Sequence, residues 1–430
     1  MIIRRYSSDQ WIWQRTLTSE TAVQSKVSEI LETIRRDGDF ALRRYTQEFD
    51  RWQGAMNAEE PLSVPRSVRE AALAATPASL QTALREAAQR IRRFHEDVLP
   101  DNRQFEQAGA TLGMVWRPLR RVGVYAPGGK AAYPSTVFMN TIPAQVAGVT
   151  EIVLASPPQA ETGWPHPLIL AAAEIAGVQE VYRIGGAQAI AAFAYGTASV
   201  PAVEKIVGPG NQWVATAKQQ VQSHVAIDSI AGPSEVFVIA DHTAKAPYVA
   251  ADMLAQAEHD EAAGAVCIST DRRLLDEVAS ELERQLAILP RRSIAAQALQ
   301  TWGALVEVAS VTEAIELTNQ MAPEHVELHV AHPYEILPEL RTVGAVFLGE
   351  YTPEPVGDYL AGPNHVLPTH GTARFASGLS VHDFLRRFTY VSYDSSALAR
   401  DAESIIRLAE AEGLDGHARA VQIRLEGERS

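Results

Sequence analysis

Apolar and polar positions follow two rhythms along this chain, and the change falls near residue 120. Before it the spacing is helical. In TAVQSKVSEILETIRRDG (21–38), Val23, Val27, Ile30, Leu31 and Ile34 recur at 3.6-residue spacing, which predicts an amphipathic helix, and Gly38 is placed to end it. A second helical region covers about 66–98 and is interrupted or kinked near Pro77, because proline removes a helix hydrogen bond.

From Arg120 onward, short β-rich runs end in Gly or Pro: RVGVYAPGG, EIVLASPP and EVYRIGG. Each precedes an Ala-rich helical stretch, and such strand–helix alternation with short connections predicts a parallel α/β sheet. The pattern resumes with EVFVIAD, AVCIST, ALVEVAS, HVELHV and AVFLGE, with helical stretches between them. HVELHV alternates like a half-buried strand. Two α/β layers are expected, the middle one inserted into the other. The boundaries follow as an N-terminal segment, 1–20; a discontinuous domain of 21–124 plus about 235–380; a second domain of 125–234; and a C-terminal arm, 381–430. Residues 395–425 read as polar helix broken at Gly413 and Gly416.

Composition narrows the classes. A chain of 430 residues exceeds one ordinary core, and 46% apolar residues suffice to fill two. The net charge of −14 speaks against non-specific binding to nucleic acid or anionic membranes. No run approaches the ~18 uninterrupted apolar residues of a spanning helix. MIIRRYSSDQWIWQR also lacks the apolar centre of a secretory signal, so a soluble cytoplasmic protein is expected. Cys267 is the single cysteine, which excludes an internal disulfide and a cysteine-cluster metal site; in AVCIST it reads as a buried structural thiol.

Candidate chemistry sits on turns and strand mouths. Doubly wound sheets often hold nucleotides, yet the G-x-G-x-x-G turn is absent. GPGNQW (208–213), GGAQA (185–189) and YAPGGKAAYPS (125–135) still place backbone N–H groups where a phosphate could sit, with Lys130 as a counter-charge. In LAQAEHD (254–260), Gln256 and His259 share one helical face. As metal ligands they would need company from Asp358 in PVGDYLAGPNH and His417 in EGLDGHARAV. Such nitrogen and oxygen donors suit zinc or manganese better than calcium or an iron–sulfur cluster, though spacing alone does not assemble the set. MAPEHVEL (321–328) sets Glu324 and His325 side by side at a strand mouth. Loop polarity is the default reading of such a pair; an acid/base pair is the sharper one. His365, His370 and His382, in a Gly/Pro/Thr-rich segment, read as structural or hydrogen-bonding groups.

Several of these stretches, taken in order, resemble the histidinol dehydrogenase family: RVGVYAPGGKAAYPSTVFMNTIPAQVAGV, RIGGAQAIAAFAYGT, KIVGPGN, DSIAGPSEV, LAQAEH, APEHVEL, VGDYLAGPNHVLPT with GTARFASGLS, and EGLDGHARAV. They span about residues 120–422. The resemblance implies an α/β fold of two incomplete Rossmann-like doubly wound domains, with a helical N-terminal region and an extended helical C-terminal arm. It implies one zinc ion per subunit on Gln256, His259, Asp358 and His417, and a catalytic pair of Glu324 and His325. Ser234, Glu412 and His325, with the ligands, would line the histidinol site, and Tyr125, Gln188 and Asn211 would contact NAD. The implied reaction is NAD-dependent oxidation of L-histidinol to L-histidine through L-histidinaldehyde, two hydride transfers that end histidine biosynthesis. The implied assembly is an intertwined homodimer, in which Glu412 and His417 serve the partner's site.

The residue types suit that chemistry. A neutral imidazole can take the hydroxyl proton as hydride leaves, and a carboxylate can take a proton from the water that hydrates the aldehyde. Departures from the family pattern are few: Trp213 stands for Tyr, His370 for Gly, and His382 for an acidic or aromatic residue. Two rival readings remain open. One is a same-family zinc and NAD dehydrogenase of another small alcohol, such as a sulfopropanediol; Glu412, a fitting partner for an imidazole N–H, speaks against it. The other is a catalytically silent protein on this fold, against which the complete set of six ligand and catalytic residues speaks.

Overall fold

The computed structural model describes residues 2–11, 13, 21–128, 132–230 and 232–427; Lys130 lies outside them. Their strands are β1 (Arg4–Ser7), β2 (Arg103–Gln107), β3 (Ala110–Pro118), β4 (Arg121–Tyr125), β5 (Glu151–Ser156), β6 (Glu180–Arg183), β7 (Lys205–Val207), β8 (Ala226–Ile227), β9 (Glu235–Ala240), β10 (Gly264–Ser269), β11 (Gly303–Glu307), β12 (His325–His329), β13 (Ala345–Leu348) and β14 (Leu385–Tyr393).

The first of two compact units comprises residues 1–98 and 119–384 and holds two parallel sheets. In one the order is β6-β5-β4-β7-β8; counted along the chain this is 3-2-1-4-5, the Rossmann order without its sixth strand. In the other, β9 to β13 repeat 3-2-1-4-5, and β1 joins outside β11. Both sheets therefore match the incomplete Rossmann-like expectation. Nothing in RRYS foretells β1, whose side chains are exposed or half-buried; only its backbone pairing with β11 defines it.

Strand interiors are apolar runs because helices cover both faces. EVFVIA and GAVCIS are buried throughout, with Val236 and Val238 in one core cluster and Phe237 and Ile239 in another. β12 differs. Val326 and Leu328 enter the second cluster, while His325, Glu327 and His329 share the opposite face. All five residues are buried, so the half-buried expectation for HVELHV fails: its polar face is covered as well as its apolar one.

The first predicted helix is observed as Thr21–Asp37, with Val23, Val27, Ile30, Leu31 and Ile34 buried and Gly38 at φ 56°. These side chains share a core with Ile190, Phe193, Val214 and Ala217 of the five-stranded sheet's helices. The sequence grouping had placed them with the 235–380 layer instead. Pro77 separates two helices, Arg66–Ala75 and Ala78–Asp97, rather than kinking one.

The second unit comprises 99–118 and 385–430. Its antiparallel sheet has the order β14-β3-β2, and helices Ser395–Ala411 and Asp415–Gly427 follow. Residues 99–118, grouped by sequence with the first domain, thus belong with the arm. β14 was not expected, because LRRFTYVSY is exposed along most of its length and so has no buried stripe to mark it. Gly413 breaks the helical run at φ 72°, as expected; Gly416 lies inside the second helix. No helix among the described residues is long and apolar enough to cross a membrane.

Candidate active site

β9 and β12 lie side by side in parallel, with His325 opposite Val236. This is where the strand order reverses, and the residues entering both strands meet at the sheet's amino edge. Glu324, 4% exposed, accepts the Glu235 N–H at 3.1 Å through Oε2, and the Ser234 hydroxyl also donates to it. Burial pushes the Glu324 carboxyl well above the usual range, and the Ser234 bond offsets only part of that. Glu235 in turn accepts the His370 N–H at 2.6 Å. His370 itself sits at φ 53°, the left-handed region glycine adopts freely, which accounts for the glycine expected at this position.

His325 is 3% exposed, with Nδ1 at 3.2 Å from Gln256 Oε1. A carbonyl oxygen only accepts, so Nδ1 carries the proton and Nε2 presents its lone pair. Nε2 is buried with no hydrogen-bond partner. Glu354 Oε1 and Glu324 Oε2 lie 3.7 and 3.9 Å from Nδ1. Burial, and then repulsion from His259, holds the imidazole down to about 3, so it is neutral at physiological pH.

Gln256 lies in the last turn of helix Ala246–Ala257, and His259, three residues on, falls just beyond the helix end rather than on the shared helical face expected. The short helix Glu354–Tyr359 presents Glu354 and Asp358 one turn apart. Ligand atoms of His259, Glu354 and Asp358 lie within 4.8 Å of one another. Burial pushes Asp358 up to about 7 and Glu354 well above the usual range, the latter helped by Asp358 and Glu324 beside it. His365 joins through Nδ1, 3.2 Å from the Asp358 carbonyl, the hydrogen-bonding role its loop suggested. A pocket of buried acids with raised pKa values lacks positive charge, and a divalent cation would reverse those shifts. With Glu354 Oε2 also buried and unpartnered, the donor set fits such an ion. Glu412 and His417 lie in the second unit, exposed, at the junction of its two helices.

The residues expected to contact NAD occupy the carboxyl edge of the five-stranded sheet. Tyr125 ends β4, and its hydroxyl accepts the Gly186 N–H at 3.1 Å. Gln188 Nε2 donates to Asp50 Oδ2 at 3.1 Å, and the Gly185 N–H donates to the same oxygen at 3.2 Å. Gly208, at φ 112°, runs so close to β4 that a Cβ would lie 2.1 Å from the Tyr125 carbonyl. Asn211 Oδ1 caps helix Gln212–Val221, accepting the N–H groups of Trp213 and Val214 at 3.1 and 3.2 Å. Two of the turns that sequence marked as phosphate cradles are therefore already filled by the chain's own side chains, Asp50 and Asn211.

A family model described as histidinol dehydrogenase matches residues 13–425. The chain belongs to the histidinol dehydrogenase family. A curated histidinol dehydrogenase of Bacillus cereus is 51% identical over 411 residues, covering 95% of this chain and 94% of that protein. One of Geobacter metallireducens is 48% identical over 407 residues, with 94% and 92% covered. The crystal structure of histidinol dehydrogenase from Elizabethkingia anophelis superposes with a TM-score of 0.95 at 37% identity, covering 100% of this chain and 99% of that one.

On this histidinol dehydrogenase fold, Ser234, Gln256, His259, Glu324, His325 and Asp358 converge around the amino edge, and Tyr125 and Gln188 meet around Asp50. Sequence reasoning missed Glu354 and Asp50. The spacing of Glu354 and Asp358 in EPVGD was the available signal for the first. Asp50, in EFDRW, offered none. Burial raises Asp50 from near 3.8 to about 7, against the opposing bonds from Gly185 and Gln188. Its contribution to stability is thus fully present below about pH 3.8 and is lost as pH rises through 7. Asp50→Asn keeps an oxygen for both bonds and removes the desolvated charge. Denaturant unfolding at pH 8 should find it more stable than the parent by up to about 4 kcal/mol, with the gap closing toward pH 4. A gap independent of pH would mean that Asp50 does not titrate in this range.

Proposed function

We propose that this protein oxidises L-histidinol to L-histidine through L-histidinaldehyde, consuming two NAD, as a zinc-containing cytoplasmic homodimer of histidine biosynthesis. The observation that carries the reading is His325: a buried neutral imidazole with Nδ1 held beside Gln256, Glu354 and Glu324 and with Nε2 left without a partner. Gln256, His259 and Asp358, with His417, would hold the metal. Zinc, when bound, supplies a Lewis acid and a template for the amino alcohol, and NAD supplies the electron acceptor.

The chain's own groups handle the protons. His325 Nε2 takes the hydroxyl proton of the alcohol, while Nδ1–H stays with Gln256 Oε1. The carboxylates of Glu324 and Glu354 stabilise the resulting imidazolium at under 4 Å. In the second stage Glu324, aimed by Ser234 and the Glu235 N–H, takes a proton from the water that hydrates the aldehyde. Sulfur takes no part: Cys267 is fully buried in β10, its thiol pushed up to about 12. Glu412 would pair with the substrate's imidazole N–H, supplied with His417 by the partner's arm. Exposed Phe388, Val391, Leu408 and Ile423 of the second unit support a partner covering that surface.

The test is stoichiometry. Purified protein should form histidine and two NADH per histidinol consumed, and should lose activity on chelation. One NADH with released aldehyde would refute the two-stage reading; faster oxidation of a sulfopropanediol would refute the substrate.

A further inference from the structure

The three elements that bear the site meet a second time, farther along β12. Asp252 precedes Gln256 by one helical turn, Glu327 follows His325 by one strand pleat, and Glu354 precedes Asp358 by one turn. His329 Nε2 is 3.0 Å from Asp252 Oδ2 and 3.5 Å from Glu327 Oε2. Glu327 Oε1 accepts the Glu354 N–H at 2.9 Å. Asp252, Glu327 and His329 are 6%, 0% and 3% exposed.

Groups buried this deeply are costly unless connected, and apolar side chains of similar volume would fill the space without that cost. β12 does carry apolar residues on its other face, so the polar face is a departure that calls for a reason. The connectivity supplies one. Asp252, His329, Glu327 and the Glu354 N–H form one chain of contacts tying helix Ala246–Ala257, β12 and helix Glu354–Tyr359 together. Burial works against charge on His329, but the bonds to Asp252 and Glu327 outweigh it and raise the imidazole to about 9. His329, set between the two acids, closes the chain of contacts.

We propose that Asp252, His329 and Glu327 are positioning residues, whose contacts set the placement of Gln256, His325 and Asp358 relative to one another and thereby the grip on the metal. This rests on the reading of Gln256, His259 and Asp358 as ligands. Glu327 acts through one atom: its Oε1 fixes the first N–H of the helix that presents Asp358.

Cobalt(II) binding to the full-length protein tests it. Stripped wild-type protein should take up one cobalt per chain. Glu327→Leu, which removes the acceptor for Glu354, should bind cobalt about 10–100-fold more weakly. Its visible absorption should shift, since the ligands around the ion move; a merely structural role would lower thermal stability and leave the spectrum of the folded protein unchanged. Glu327→Gln, which keeps an acceptor oxygen, should restore most of both. Asp252→Asn is milder, should weaken binding in the same sense, and decides the matter if Glu327→Leu does not fold. Unchanged affinity and spectrum in either folded variant would overturn the inference. So would a second cobalt per chain that Asp252→Asn loses, because Asp252, His329 and Glu327 would then be a ligand set of their own. Wild-type protein that takes up no cobalt would overturn the ligand reading and this inference with it, whereas protein that binds cobalt but oxidises no histidinol would overturn the proposed function alone.

Discussion

His325→Asn should slow both oxidation stages by about 10²–10⁴-fold, the range that follows loss of a general base. Asparagine can place its amide where Nδ1–H stood, so the bond to Gln256 Oε1 survives while Nε2 is lost. The variant therefore separates the ring's anchoring from its proton transfer. Single-turnover NADH formation should be followed from histidinol and, separately, from histidinaldehyde. Each stage removes one hydroxyl proton, from the alcohol and then from the hydrated aldehyde, so each should suffer. Metal content should stay near that of the parent, since His325 is outside the ligand set. If either stage keeps its rate within about tenfold, a different group takes that stage's proton.

What the sequence disclosed divides along physical lines. Periodicity reports what a segment buries, so the Val23–Ile34 stripe, the buried runs EVFVIA and AVCIS, and the alternation of HVELHV were all legible. Family motifs gathered Gln256, His259, Glu324, His325 and Asp358, which periodicity could not have done. Two kinds of structure escaped both. β1 and β14 are held by backbone pairing with little buried side chain, and therefore lack a hydrophobic signature. Asp50, Asp252 and His329 act across long separations: Asp50 meets Gly185 135 positions away. No motif spacing encodes such a contact. HVELHV illustrates the boundary, since its period gave the strand but could not say what lay over Glu327 and His329.

Glu324→Gln should leave the first oxidation nearly intact and slow the second by about 10²–10⁴-fold, so that histidinaldehyde accumulates with close to one NADH formed per histidinol. Glutamine keeps an oxygen for the Glu235 N–H and the Ser234 hydroxyl, so the strand mouth keeps its geometry. What it loses is the capacity to take a proton from water. The stability outcome is equally directional. Burial raises the Glu324 carboxyl in the folded state, so its contribution to stability is present below its ordinary pKa near 4.5 and is lost as pH rises. Glutamine escapes that loss, and the variant should be at least as stable as the parent at pH 8. A first stage slowed as much as the second would show that Glu324 serves the alcohol step too. A variant less stable at pH 8 would show instead that the Glu324 charge is compensated in the folded protein.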